Sequence, residues 1–226
     1  MATIKVAIDG PAGAGKSSIS KAVADRLTFV YIDTGAMYRA VGLAVIESGK
    51  NPENAAEVIA VLDTISISIK HTNEGQLIFL NGKNVSEEIR RPDVSVAASN
   101  VAIIPEVRIK LVALQRELAE SENVIMDGRD IGTYVLPNAD IKIFLTATVE
   151  ARAKRRFEEL SEKGVSTTFD DVKKDMEYRD KNDSGREFAP LKPAENCVFV
   201  DSTDMNLSET IEHIFNLINT TFKEIK

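Results

Sequence analysis

The segment from Gly10 to Ser17, GPAGAGKS, constrains the fold of this chain more than any other feature. It matches the pattern G-x-x-x-x-G-K-[ST], follows an apolar run at 4–8 and precedes a helix-compatible run at 18–27. Glycines let a backbone lie close to a polyphosphate with its N–H groups turned inward, and the next helix directs its positive end at the anion. We therefore predict a phosphate-binding loop for a nucleoside triphosphate. The alternative, a glycine-rich turn that happens to contain Lys-Ser, does not account for the flanking strand and helix.

Each position of this loop has a predicted role. Lys16 brings a positive charge to the β and γ phosphates, and the Ser17 hydroxyl is a ligand for Mg²⁺. The predicted triphosphate-binding residues are Gly10, Pro11, Ala12, Gly13, Ala14, Gly15, Lys16, Ser17 and Ser18. The loop by itself does not specify a reaction.

Size and charge narrow the class of protein. With 226 residues and 43% hydrophobic content, the chain can bury a sizeable core. A net charge of −7 argues against nucleic acid as the main partner, because binding to a phosphate backbone needs a basic face. No apolar run approaches the roughly 20 residues that span a bilayer, so we expect a soluble, cytoplasmic protein without a membrane partner.

Apolar runs alternate with helical repeats along most of the chain. Strands are predicted at 4–9, 29–32, 124–126, 141–145 and 197–200. Helices are predicted at 18–27, 36–48, 150–163, 170–183, after Pro105 and at the C-terminus around Ile211–Phe222. This alternation is typical of an α/β fold, here a doubly wound parallel P-loop sheet flanked by helices.

The pattern changes at Ile65, where apolar and polar residues alternate up to Ile69. A turn is predicted at 73–75, and the apolar run 77–80 leads into Asn81-Gly82, which together indicate antiparallel hairpins. Hairpins do not belong in a parallel sheet. We therefore predict a hairpin insertion at about 65–101 and a helical lid at about 151–186, with a core formed by 1–64, 102–150 and 187–226.

Carboxylates follow two of the predicted strands. Asp127 comes after the apolar run 124–126, and Asp33 comes after 29–32. Ligands of open α/β sheets bind at this edge, and a carboxylate there can orient the waters of Mg²⁺. Asp127 is the predicted metal-shell residue, acting through water, and the alternative is that it caps the next turn. Asp33 is a second candidate for the metal.

Arginines are concentrated in the predicted lid. One group contains Arg152, Arg155 and Arg156, and a second contains Arg179 and Arg186, in a stretch that Gly185 and Pro190 make loop-like. A solvated face with ion pairs would explain the first group alone. Together the groups favour a lid whose arginines stabilise the charge of a transferring phosphoryl group.

Four segments resemble the signatures of the bacterial cytidylate kinases, which transfer the γ-phosphate of ATP to CMP or dCMP. They are IDGPAGAGKSS (8–18), DTGAMYR (33–39), MDGRDIGT (126–133) and YRDKNDSGR (178–186). The resemblance spans nearly the whole chain and includes the hairpin insertion, which enlarges the monophosphate-binding part in that family. It implies ATP and CMP or dCMP as substrates and Mg²⁺ as cofactor.

The resemblance also implies roles for individual residues. Arg39, Arg129 and Arg186 would hold the CMP phosphate, and Arg179 and Asp183 would contact the ribose. The cytosine would be read by Ser99, Arg108 and Asp130. Thr34, which stands where the family often has serine, also belongs to the implied CMP-binding set. The implied catalytic set is Lys16, Arg129, Arg186 and Arg155.

Two other functions remain open. One is a P-loop kinase for UMP or another small metabolite. The other is a nucleotide-dependent switch protein, against which the sequence lacks the N-K-x-D motif for guanine. A monomer is expected.

Overall fold

A five-stranded parallel sheet forms the centre of the computed structural model, which describes residues 3–72 and 75–225. Along the chain the elements are β1 (Lys5–Asp9), α1 (Lys16–Leu27), β2 (Val30–Asp33), α2 (Thr34–Glu47), α3 (Ala55–Leu62), β3 (Ile67–Thr72), β4 (Gly75–Leu80), β5 (Lys83–Asn84), α4 (Pro92–Val101), α5 (Pro105–Leu118), β6 (Val124–Gly128), β7 (Ile141–Thr146), α6 (Val149–Glu162), α7 (Phe169–Gly185), β8 (Val198–Asp201) and α8 (Leu207–Ile225). Short helical turns also occur at Glu88–Arg90 and Ile131–Val135.

The strand order of the central sheet is β2-β6-β1-β7-β8, and all neighbouring strands are parallel. Side chains of β1 alternate between two hydrophobic clusters. Val6 and Ile8 pack with residues of α1 and α8, whereas Ala7 packs with Val112 of α5. Both faces of the sheet are therefore covered by helices, which confirms the predicted α/β class.

The parallel arrangement brings the carboxyl ends of the strands to one edge of the sheet. Asp9 and Asp33 are the last residues of β1 and β2, and Asp127 is next to last in β6. Asp33 and Asp127 are direct neighbours across the β2–β6 pair. The candidate site is built at this edge.

The predicted antiparallel hairpins form a three-stranded sheet of β3, β4 and β5. Of the predicted turn at 73–75, residues 73 and 74 lie outside the described residues. The sequence predicts no helix at Pro92–Val101 or Ala55–Leu62, but α4 and α3 form there. The apolar side chains of β4 and α4, such as Ile78 and Val94, share one cluster with α2, α3 and α5. The division into core, insertion and lid stays a prediction.

Two antiparallel helices occupy the predicted lid region. Ala153 of α6 packs against Val172 and Met176 of α7. The predicted helix at 170–183 is confirmed as α7, which extends to Gly185, so the loop-like interpretation of the segment containing Arg179 is wrong up to that residue. Residues 169–184 contain no glycine or proline, and α7 ends at Gly185.

Candidate active site

The phosphate-binding loop lies between β1 and α1, as predicted. A Cβ atom on Gly10 would lie 1.9 Å from the carbonyl oxygen of Leu145, so no other residue fits there. Gly15 precedes α1 with a φ of 85°, a conformation that glycine adopts without strain. The loop residues from Gly13 to Ser18 line an open cavity, which we call the phosphate-loop cavity.

Lys16 points into this loop. Its Nζ donates hydrogen bonds to the carbonyl oxygens of Gly10 at 2.8 Å and Pro11 at 2.7 Å, and only 5% of the residue is exposed. Burial, together with the neighbouring charge of Arg129, lowers the pKa of Lys16 to about 7. Near neutral pH, Lys16 is therefore only partly charged in the free protein, and an incoming polyanion would stabilise its ammonium form.

Ser17 and Asp127 form a pair of hard oxygen donors beside the loop. The Ser17 hydroxyl donates to Asp127 Oδ2 at 3.0 Å, and the Tyr31 hydroxyl donates to Asp127 Oδ1 at 2.8 Å. Burial raises the pKa of Asp127 to about 6, and the charge of Asp33 acts in the same direction. A bound cation would lower this pKa, because it favours the ionised carboxylate.

The donor set fits Mg²⁺, which takes few protein oxygens and keeps waters and phosphate oxygens as its other ligands. Within 3–72 and 75–225, no group of three or more His, Cys, Asp or Glu side chains forms a cage for a metal. Asp33 is engaged elsewhere, because its side chain caps α2 through the N–H of Ala36 and accepts from Arg39 Nη2 at 2.8 Å. Ser17 and Asp127 are thus better placed than Asp33 to hold the ion.

A second cavity lies between α2, α4, the end of β6 and α7, and we call it the arginine cavity. Its lining contains all nine residues for which a monophosphate-binding role is predicted: Thr34, Arg39, Ser99, Arg108, Arg129, Asp130, Arg179, Asp183 and Arg186. They come from four separate segments of the chain. The fold therefore brings this whole predicted set together.

Aspartates hold the arginines of this cavity in place. Asp130 forms salt bridges with Arg108 and Arg186, whose side chains are 1% and 2% exposed. Arg129 Nε donates to Asp183 Oδ2 at 2.6 Å; burial would raise the pKa of Asp183, but Arg129 and Arg186 lower it. Burial and the neighbouring Arg129 lower the pKa of Arg179, as expected for a cation in a site with excess positive charge.

The two cavities share part of their lining. Gly128, Arg129 and Arg179 contribute to both. An anion in the arginine cavity and a polyphosphate on the loop would therefore meet at Arg129 and Arg179. This is the arrangement that transfer between two phosphates requires.

Helices α6 and α7 contact the phosphate-binding loop directly. Arg152 Nη1 donates to the carbonyl oxygen of Ala12 at 2.7 Å, and Arg152 Nη2 bonds Asp180 at 2.7 Å. The structure does not bring Arg155 to the site: its guanidinium donates to backbone oxygens of Ser202 and Met205. Arg156, one residue further, lines the phosphate-loop cavity.

Sequence reasoning missed several side chains of the site. Arg90, from the short helical turn Glu88–Arg90, lines the phosphate-loop cavity, and the Tyr31 hydroxyl donates to Asp127. Asp9 accepts from the N–H groups of Ile131 and Gly132, both at 2.7 Å, and so ties β1 to the segment that carries Asp130. The position of Asp9 immediately before the loop is the one sequence feature that could have indicated its role in the site. Arg90 offered none, since it lies in an exposed charged stretch.

In the described part of the chain, no helix is long and apolar enough to cross a membrane.

Comparisons with known proteins agree with this geometry. The family described as Cytidylate kinase matches residues 6–220. A cytidylate kinase of Caldicellulosiruptor bescii is 50% identical over 223 residues, or 99% of each chain, and one of Caldicellulosiruptor saccharolyticus is 51% identical over 217 residues, or 96% of each. A solved structure of an uncharacterized protein from Eubacterium ventriosum has a similar fold, with a TM-score of 0.51 at 15% identity, covering 97% of this chain and 99% of that one. The chain belongs to the cytidylate kinase family.

Proposed function

We propose that this chain transfers the γ-phosphate of ATP to CMP or dCMP, giving ADP and CDP or dCDP. The observation that carries the proposal is the meeting of the two cavities at Arg129 and Arg179. One cavity contains the phosphate-binding loop, and the other contains the nine residues predicted to bind the monophosphate. An oxygen of the CMP phosphate attacks the γ-phosphorus, and the bond to the ADP oxygen breaks, without a covalent enzyme intermediate.

The protein contributes position and charge. Lys16 binds the β and γ phosphates, and Arg129 and Arg186 hold the acceptor phosphate and the transferring oxygens. Mg²⁺, held by Ser17 and through water by Asp127, would neutralise charge on the ATP phosphates when bound. Arg39 also binds the acceptor phosphate, and Arg179 and Asp183 contact the ribose. The residues that contact the cytosine are Ser99, Arg108 and Asp130. Arg155 has a predicted catalytic role that requires it to leave its bonds near Ser202.

A coupled ADP-release assay tests the function. With ATP, we expect rapid turnover of CMP and dCMP, slow turnover of UMP and almost none without an acceptor. Preference for UMP or for a non-nucleotide metabolite would favour another P-loop kinase. Hydrolysis of GTP that no acceptor stimulates would favour a nucleotide-dependent switch.

The low pKa of Lys16 predicts proton uptake on ATP binding. At pH 8 a group with a pKa of about 7 is mostly neutral in the free protein. Bound phosphates favour its charged form, so its pKa rises and the complex takes up close to one proton at pH 8 and almost none at pH 6. Calorimetry of ATP binding in buffers with different ionisation heats measures this uptake.

The Lys16→Arg variant is the matched control, because arginine is charged at both pH values. The difference in proton uptake between wild type and Lys16→Arg isolates Lys16 from the protonation of ATP itself. Equal uptake in the two proteins at pH 8 would contradict the assignment.

A further inference from the structure

Gln76, in β4 of the insertion, contacts the end of the central sheet through both atoms of its amide group. The backbone N–H of Asp33 donates to Gln76 Oε1 at 3.0 Å, and Gln76 Nε2 donates to the carbonyl oxygen of Asp33 at 3.2 Å. Both bonds are partly buried and join residues 43 positions apart. None of the sequence patterns indicates a role for Gln76.

The geometry of this contact follows from the position of Asp33. It is the last residue of β2, and β2 is an edge strand of the five-stranded sheet. Backbone groups on the outer side of an edge strand have no ladder partner. The Gln76 amide presents one acceptor and one donor to a single residue, as a residue of a neighbouring antiparallel strand would. The Gln76 side chain thus forms the two hydrogen bonds that a neighbouring strand would form with Asp33.

Asp33 in turn positions groups of the candidate site. Its carboxylate caps α2 through the N–H of Ala36 at 2.9 Å, and it bonds Arg39 Nη2 at 2.8 Å. Arg39 lines the arginine cavity, whereas Gln76 lies outside that cavity. A shift of the Asp33 backbone would move the carboxylate and, with it, the Arg39 guanidinium.

We propose that Gln76 is a positioning residue for the acceptor phosphate: its two hydrogen bonds hold the backbone of Asp33, and Asp33 holds Arg39. The proposal rests on the proposed function for the identity of the acceptor, CMP. It predicts that replacing Gln76 weakens mainly the binding of CMP. Lys16 and the glycines of the loop are held by other contacts, so binding of ATP should depend on Gln76 far less.

The Gln76→Met variant tests this, because methionine has nearly the shape of glutamine but neither hydrogen bond. We expect the KM for CMP to rise about tenfold, with kcat reduced less than about threefold and the KM for ATP changed less than about twofold. Gln76→Asn, which is one methylene too short to reach both backbone groups, should behave in the same way. Ser68→Ala, an exposed position on the adjacent β3, is the matched control and should leave all three constants unchanged.

A double-mutant cycle with Arg39→Lys separates positioning from a general effect on the insertion. If Gln76 acts through Arg39, the loss in CMP affinity in the double variant will be smaller than the sum of the two single losses. Full additivity would overturn the proposal, as would constants in Gln76→Met equal to those in Ser68→Ala. An equal rise in the KM values for CMP and ATP would overturn it too.

Failure of the proposed function gives a different result from failure of this inference. A wild-type protein that does not phosphorylate CMP would refute the function. A wild-type protein that does so, with Gln76→Met unchanged, would refute only the role of Gln76.

Discussion

Replacing Lys16 by alanine is expected to lower kcat for CMP phosphorylation by roughly 10²- to 10³-fold or more. Its Nζ lies inside the phosphate-binding loop, within 2.8 Å of two loop carbonyl oxygens, and is shielded from water. A charge in such a place acts on the transferring phosphate more strongly than it would in solution. The methyl group of alanine supplies neither the charge nor a donor.

The fold should survive this change. Burial of the ammonium group disfavours its charged form, as the lowered pKa of Lys16 shows, so its removal takes away a destabilising feature. We therefore expect the Tm of Lys16→Ala to equal or exceed that of the wild type. Lys21→Ala, on the same helix, is the matched control and should retain normal kcat. Near-normal turnover in a folded Lys16→Ala protein would remove the loop from the mechanism.

The phosphate-binding loop and the parallel sheet could be predicted from the sequence because local patterns determine them. The loop is a fixed spacing of glycines with Lys16 and Ser17, and each strand is a continuous apolar run. Strand order is not local. Nothing in the runs themselves indicates that β6 lies between β2 and β1, which is what places Asp127 beside Asp33.

Helix α4 shows where local patterns are insufficient. Its sequence, PDVSVAASNV, contains three valines, two serines and one asparagine, which are weak helix formers. The helix is stabilised by packing against α2, where a Cβ atom on Gly42 would lie 3.0 Å from the backbone nitrogen of Ala98. Tertiary contact thus outweighs propensity, and it also carries Ser99 into the arginine cavity.

The arginines of α6 show a second limit of prediction from sequence. Arg155 and Arg156 are adjacent in sequence, but consecutive residues of a helix point about 100° apart. The packing of Ala153 against α7 determines which side of α6 faces the phosphate-binding loop. Arg156 lies on that side and lines the phosphate-loop cavity. Composition alone indicates an arginine-bearing lid but cannot distinguish these two residues.

Asp130 is the residue whose replacement should change substrate preference most. An ionised carboxylate only accepts hydrogen bonds, so it pairs with the amino group of cytosine and repels the carbonyl oxygen of uracil. Both of its oxygens already bond arginines, Arg108 and Arg186, but a carboxylate has about four acceptor positions, which leaves room for the base. Loss of a hydrogen bond to a charged group costs roughly 1.5–3 kcal/mol, or about ten- to a hundredfold in kcat/KM.

Asp130→Asn separates base reading from the structural role of this carboxylate. The amide oxygen can still accept from one arginine, while the amide nitrogen donates, which suits uracil rather than cytosine. We expect kcat/KM for CMP to fall about ten- to a hundredfold and that for UMP to fall much less or to rise. Because buried Arg108 loses its counter-charge and Arg186 keeps only Asp183, 3.7 Å away, the free energy of unfolding should also fall, by about 3–5 kcal/mol.

Asp183→Asn is the matched control, since Asp183 is a buried carboxylate of the same cavity that pairs with Arg129 and is not assigned to the base. It should lower kcat/KM for CMP and UMP by similar factors and leave their ratio near that of the wild type. The measurement is kcat/KM for both monophosphates in the three proteins, under conditions where each is folded. If kcat/KM falls by equal factors for CMP and UMP in Asp130→Asn, as it should in Asp183→Asn, then Asp130 holds the arginines in place and does not read the base.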